Sequence, residues 1–152
     1  MQKRIKIFFI FLTALFLFLI DIFLKKSFLK NPDFLSLPTK WENIINFTFY
    51  KNYGIIAGWP FPRTLFYLVF IIVILFLIWL AQKNYQKNSL DKLFFVVLIL
   101  TGAFSNFYDR FFYGYVVDFI NIPWFSVFNL ADIYITFGSL LLIRKIWLKP
   151  LF

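Results

Sequence analysis

The chain contains no cysteine and no histidine, and only 7 acidic residues among 152. Without cysteine there is no disulfide, no thiol nucleophile and no cysteine-ligated zinc. Without histidine the imidazole that most often serves as general base near neutral pH is missing. Any catalysis by its own side chains falls to Asp, Glu, Lys, Ser, Thr or Tyr. What the chain has in excess is apolar surface: 62% of residues are hydrophobic, 25 of them Phe, and the mean hydropathy is +0.80. A soluble domain of this length cannot hide so many large side chains in one core, so the sequence reads as an integral membrane protein.

The formal net charge of +9 raises the question of nucleic acid. The basic residues stand in small groups beside apolar segments, where anionic lipid headgroups and membrane topology account for them, so no nucleic-acid partner is expected. Four apolar stretches are long enough to cross about 30 Å of hydrocarbon as helices: Ile5 to Leu24, Thr64 to Ala81, Leu93 to Tyr108 and Leu130 to Leu148. Lys3, Arg4 and Lys6 precede the first, as in a signal peptide. Its apolar run is longer than a usual signal core, however, and Asp21 and Lys25 follow it instead of a small-x-small cleavage site, so it is read as an uncleaved span. The expectation is a single membrane domain over residues 1–152, all-α, with four transmembrane helices and a small β element and flap on the outer face.

Four spans place both termini on one side. The short segments there carry Lys3, Arg4, Lys6, Lys83, Lys87, Lys92, Arg144, Lys145 and Lys149, against a sparser set in the longer loops opposite, which puts both termini in the cytoplasm. The largest loop, residues 25–63, then lies on the outer face. Turn-forming runs bound its centre, Asn31-Pro32-Asp33 and Gly58-Trp59-Pro60-Phe61-Pro62. Between them Asn43 to Tyr50 alternates imperfectly, as one or two short strands do. Trp41, Tyr50, Tyr53 and Trp59 suit a headgroup-level flap.

Against this background the acids need a reason. A carboxylate within a membrane segment is costly and by default marks a functional site. Asn106, Asp109 and Arg110 share a face at the outer end of the third span, and Asn129 and Asp132 do so at the start of the fourth, since residues three or four apart lie together on a helix. Asp118 sits in the short connection between the two spans, flanked by Val117 and Phe119. Two carboxylates brought close where water is scarce cannot both stay ionised. One proton shared by two acids is the working state of an aspartic protease. These residues alone leave open which two of Asp109, Asp118 and Asp132 form the pair. They also leave bland roles open: Asn129 and Asp132 as helix caps, Asp109 as an ion-pair partner, Asp21 and Lys25 as an i, i+4 pair, and Gly54, Gly102 and Gly114 as turn or packing residues.

Three runs, in this order, carry a resemblance: Gly102-Ala103-Phe104-Ser105-Asn106-Phe107-Tyr108-Asp109-Arg110, Gly114-Tyr115-Val116-Val117-Asp118-Phe119, and Phe128-Asn129-Leu130-Ala131-Asp132. Together they resemble the signature of the bacterial lipoprotein signal peptidases, or signal peptidase II. Asp21-x-x-x-Lys25 and Asn52-x-Gly54 match two weaker blocks, so the resemblance spans nearly the whole chain. It implies an aspartic endopeptidase that removes signal peptides from diacylglyceryl-modified prolipoproteins, cutting before the lipid-modified Cys. It places the catalytic pair on Asp118 and Asp132, substrate-contacting polar groups on Asn52, Gly54, Asn106, Arg110 and Asn129, and support on Asp109, Asp21 and Lys25. It further implies no metal or cofactor, a monomer in contact with membrane lipids, cyclic peptide inhibitors of the globomycin type, and a multi-pass protein of the bacterial inner membrane with its active site toward the outer face.

The chain departs from the family pattern at Ile22, Thr101, Ser105 and Ile133, and Ile55-Ile56-Ala57 lacks the Phe usual after the Ala. None of these removes a proposed catalytic group. Two rivals stay in view: a small transporter or proton relay using the same acids, and a Ser-Lys protease, which composition permits.

Overall fold

The computed structural model describes residues 2–35, 44–54 and 62–147. Four helices and three strands run in the order α1 (Gln2–Lys30), β1 (Asn46–Asn52), α2 (Arg63–Gln86), α3 (Leu90–Phe112), β2 (Val116–Ile122), β3 (Ser126–Phe128) and α4 (Leu130–Trp147). By length and composition α1, α2 and α3 are apolar enough to cross a membrane. The fourth helix is shorter, 18 residues, and holds Asp132, Arg144 and Lys145 among its apolar positions. The first three helices overrun the expected spans. α1 continues past Leu24 to Lys30, with Asp21 and Lys25 paired at 3.0 Å across one turn.

Helix α3 is the hub, packed against α1, α2 and α4. On one side Ile10 of α1 meets Leu93 and Val97; on others Leu77 of α2 and Leu142 of α4 close on Val96 and Ile99. Small residues bring α3 and α4 together, as they do where helices associate without a hydrophobic driving force. A Cβ on Gly102 would stand 2.3 Å from the Ala131 carbonyl oxygen, and one on Gly138 would stand 2.8 Å from Ile99 Cγ1 and 2.9 Å from the Phe95 carbonyl oxygen. Gly102→Val is therefore expected to separate the two helices and cost roughly 1–3 kcal/mol or more as overpacking. A loss of thermal unfolding midpoint, larger than for Val at lipid-facing Phe104, is the measurement.

Lys3 donates to the Tyr85 carbonyl at 3.2 Å, and Lys145 pairs with Asp91 at 3.0 Å. The start of α1, the α2–α3 connection and the end of α4 therefore share one end of the bundle. The sheet and the clustered acids occupy the other.

That other end carries the small β element, with more strands than the sequence reading gave it. The strands form one antiparallel sheet in the order β1-β2-β3. β1 overlaps the Asn43 to Tyr50 stretch where one or two strands are expected, while β2 and β3 occupy what the sequence reading treated only as the short connection between the third and fourth spans. Their hairpin turns within Ile122-Pro123-Trp124-Phe125, with the Phe125 N–H donating to the Ile122 carbonyl at 3.0 Å. Proline at the second turn position and a positive φ at the third, 69° at Trp124, are type II turn geometry, here without the glycine that marks such a turn in sequence. Gly114, at φ 78°, turns the chain from α3 into β2. Phe28 of α1 stacks on Phe119 of β2 with ring centroids 4.9 Å apart, and Leu24, Phe47, Phe128 and Leu130 surround them. This cluster fixes the sheet on the helix ends. Of the aromatic residues assigned to a flap, Tyr50 and Tyr53 are exposed, while Trp41, Trp59 and the Ile55-Ile56-Ala57 segment lie outside the described residues.

Candidate active site

The site is built on the N-terminus of α4. Asn129 is its N-cap and Asp132 its third residue, and the two satisfy each other: the Asp132 N–H donates to Asn129 Oδ1 at 3.0 Å, and the Asn129 N–H donates to Asp132 Oδ2 at 3.2 Å. This is a capping box, closed by Asp where Glu is usual. A third free N–H of the helix end, that of Ala131, donates to Asp21 Oδ1 of α1 at 3.2 Å. The capping role left open in the sequence is thus real, and it aims the Asp132 carboxylate.

Capping leaves the Asn129 amide nitrogen free for other work. It donates to Asp118 Oδ1 at 2.7 Å and also contacts the Val117 carbonyl oxygen at 3.3 Å and Asn106 Oδ1 at 3.1 Å. Asn129 thereby bridges the two acids, touching Asp118 with its side chain and Asp132 with its backbone. The second oxygen of Asp118 accepts from Asn52 Nδ2 at 2.9 Å, and Asn52 is oriented by the Gly54 N–H, which donates to its Oδ1 at 3.0 Å. The second oxygen of Asp132 accepts from Asn106 Nδ2 at 2.8 Å. β-Pairing puts Asp118 here: in the β1–β2 ladder Asn52 stands opposite Val116 and Tyr50 opposite Asp118.

Asp118 is fully enclosed (0% exposed). Burial first, and then the neighbouring Asp132 charge, push its carboxyl up to about 7, against the opposing pull of the Asn52 and Asn129 hydrogen bonds. At neutral pH the Asp118 carboxyl is accordingly near the midpoint of its titration. Arg110 lies nearby, its guanidinium 4.7 Å above the Phe66 ring and donating to the Gly54 carbonyl.

Asp109 does not join the pair. It faces the other way, forming an ion pair with Lys25 at 2.9 Å and accepting the Val117 N–H at 3.1 Å. The expectation that Asn106, Asp109 and Arg110 present one common face therefore divides: Asn106 and Arg110 line a cavity, and Asp109 sits behind the wall. Asp21, Lys25 and Ser105 complete this buried cluster. A Ser-Lys contact does exist there, Lys25 Nζ to Ser105 Oγ at 3.2 Å. It is no nucleophile, because Ser105 is 0% exposed, its hydroxyl donates to Asp21 Oδ2 at 2.5 Å, and Lys25 is held by two carboxylates.

The cavity, about 590 Å³, has Asn52, Asn106, Arg110 and Asp132 on its polar wall and Val116, Phe125 and Phe128 on the sheet side. It continues along α4 past Ile133, Thr136 and Phe137. The sequence reading did not single out Thr136 and Phe137; their helical spacing from Ile133 is the signal that would have found them. Phe137 is 59% exposed, so the cavity opens onto a helix surface that faces lipid if α4 spans the membrane.

Comparison with known proteins gives a consistent result. A family model described as Signal peptidase (SPase) II matches residues 13–148. The chain is similar to the lipoprotein signal peptidase of Wigglesworthia glossinidia brevipalpis, 38% identical over 148 residues, covering 90% of this chain and 94% of the relative. It is also similar to that of Bartonella quintana, 35% identical over 127 residues, covering 76% and 69%. A solved structure described as a bacterial membrane enzyme, determined by the in meso method at 1.9 Å resolution, superposes with a TM-score of 0.75 at 28% identity, covering 92% of this chain and 93% of that one.

Proposed function

Since the chain belongs to the signal peptidase II family and is a peptidase with several membrane-crossing helices, we propose that it is an aspartic endopeptidase. Its substrates are diacylglyceryl-modified prolipoproteins, cut just before the lipid-bearing Cys. The observation that carries this reading is the bridging of two carboxylates by one residue, Asn129, beside a cavity that runs from polar groups to an apolar helix face. In this reading α4 is a fourth span, both termini are cytoplasmic, and the acids lie at the outer face of the bacterial inner membrane.

The reaction follows from one proton shared between two acids. Asp132, as carboxylate, takes a proton from a water molecule while that oxygen bonds to the scissile carbonyl carbon. Asp118 gives its proton to the carbonyl oxygen, and a neutral tetrahedral diol forms. When the diol collapses, the C–N bond breaks, the proton on Asp132 goes to the leaving nitrogen, and a diol hydroxyl returns its proton to Asp118. Asn52, Asn106 and Asn129 hold the carboxylates, and Arg110 orients the peptide backbone. The acyl chains lie along Ile133, Thr136 and Phe137, setting the scissile bond at the level of the acids. No group on the enzyme is acylated.

The test is cleavage in reconstituted membranes. A diacylglyceryl-modified precursor is expected to be cut before its Cys and the unmodified precursor at least about 100-fold more slowly, because binding energy from remote groups is used at the reacting centre. Equal cleavage of both would remove the lipid from the substrate description. Acid-dependent solute flux without cleavage would favour transport.

A further inference from the structure

Lys25 has no task in the mechanism above, yet its surroundings exceed what a helix tie needs. Its ammonium is 1% exposed and lies 3.0 Å from Asp21 Oδ2 and 2.9 Å from Asp109 Oδ2. Those two carboxylates already more than offset its charge and join α1 to α3. Lys25 nevertheless also donates to Asn106 Oδ1 at 3.0 Å, on the side of the cluster that faces the acids.

That contact decides which way the Asn106 amide points. A planar amide has its oxygen on one prong and its nitrogen on the other. With the oxygen accepting from Lys25 and from Asn129 Nδ2 at 3.1 Å, the nitrogen must face Asp132 Oδ1, to which it donates at 2.8 Å. A flipped amide would set its NH2 against an ammonium and another NH2, and its oxygen against a carboxylate. A cation on the amide oxygen also draws electron density from the nitrogen, which strengthens the N–H as a donor through the connected chain of hydrogen bonds. We infer that Lys25 is a positioning residue for the reaction, acting through the Asn106 amide to hold Asp132 in the ionised, acceptor-only form that takes the proton of water.

This inference rests on the aspartic peptidase reading and deepens it. The charged and titratable groups around Asp132 are Asp21 and Lys25 on α1, Asp109 and Arg110 on α3, and Asp118 on β2. Removing Lys25 alone would leave Asp21 and Asp109 buried without a cation, so the informative comparison is K25M/D109N against D109N, both lacking the Asp109 charge. Loss of a cation makes a nearby carboxylate harder to ionise. The acid limb of the pH–kcat profile for the lipidated precursor is therefore expected to rise by about one pH unit in K25M/D109N, in line with the effect of a nearby opposite charge. On the acid side of the limb kcat is expected to fall by up to about tenfold, the most that a one-unit shift can remove, with KM unchanged. In an N106A background the same change at Lys25 is expected to move the limb by less, since the route through the amide is cut and only the direct effect of the Lys25 charge remains.

If K25M/D109N does not fold, as judged by thermal unfolding, K25Q/D109N keeps an N–H toward Asn106 without the charge and carries the same comparison. An acid limb and kcat equal to those of D109N in a folded variant would reduce Lys25 to a structural tie. A rise in the N106A background as large as that with Asn106 present would overturn the route through Asn106. Failure of the wild-type protein to cleave the lipidated precursor is a separate result, which would remove the peptidase reading itself.

Discussion

Asp118→Asn and Asp132→Asn are each expected to lower kcat for a lipidated precursor by on the order of 10²–10⁴-fold, the range that a positioned acid or base supplies. The protein is expected to remain folded. Asn is nearly isosteric with Asp, and at either position its oxygen keeps one of the two N–H donors that the carboxylate accepts, while its NH2 gives up the other. The two variants differ in how stability depends on pH. An isolated carboxyl of this type titrates at 3.8, whereas burial and the Asp132 charge raise Asp118 to about 7. Between those values the folded protein keeps a proton that the unfolded chain has released, so wild-type stability falls as pH rises through this window and levels off above about 7.

Asn has no proton to lose. The unfolding temperature of Asp118→Asn relative to wild type is therefore expected to increase from pH 4 to pH 8, even as the variant stays inactive. Wild-type cleavage is expected to decline as pH passes about 7 and the shared proton leaves the pair. A Tm difference that does not change over this range, measured in detergent at pH 4, 6 and 8, would show that Asp118 holds no extra proton in the folded state. Substantial cleavage by Asp132→Asn would sink the catalytic assignment.

The second large effect is expected at Asn129. Asn129→Ala removes at once the cap of α4 and the donor to Asp118. The cap contributes about 1 kcal/mol. Loss of a preorganised donor at the reacting groups lowers kcat by on the order of 10²-fold. Asn129→Ser separates the two roles, because a serine hydroxyl can accept the Asp132 N–H as a cap but does not reach Asp118 as the amide does. It is expected to restore most of the unfolding temperature lost in Asn129→Ala and little of the activity. If Asn129→Ser instead recovers both, Asn129 acts on the chemistry only by ordering the helix end, and the bridge to Asp118 is not used.

Much of this site was legible because its parts are local. Asn106 and Arg110 share a helix face, and Asn129 and Asp132 form a box across one turn, both direct consequences of helical spacing. The fate of Asp109 was not legible. It lies one turn from Asn106 and beside Arg110, yet it faces Lys25, which is distant in sequence. Ser105 stood out only as a departure from the family pattern; in the structure its hydroxyl, donating to Asp21, belongs to the buried ion cluster. The hairpin was missed because its turn places Trp124 at positive φ, where glycine or asparagine would have announced it.

By itself the sequence determined that this is a membrane protein, where its apolar helices run, and that acids gather near one end of them. Those properties depend on composition and on periods of a few residues, which any stretch of chain expresses without its neighbours. Only the tertiary structure decided that Asp118 and Asp132, and not Asp109, share one bridging residue. That choice is made by the register of β1 on β2 and by the close approach of α3 to α4 over Gly102 and Gly138. Both bring together groups far apart in sequence, and the burial they create raises the Asp118 carboxyl well above the ordinary carboxylate range.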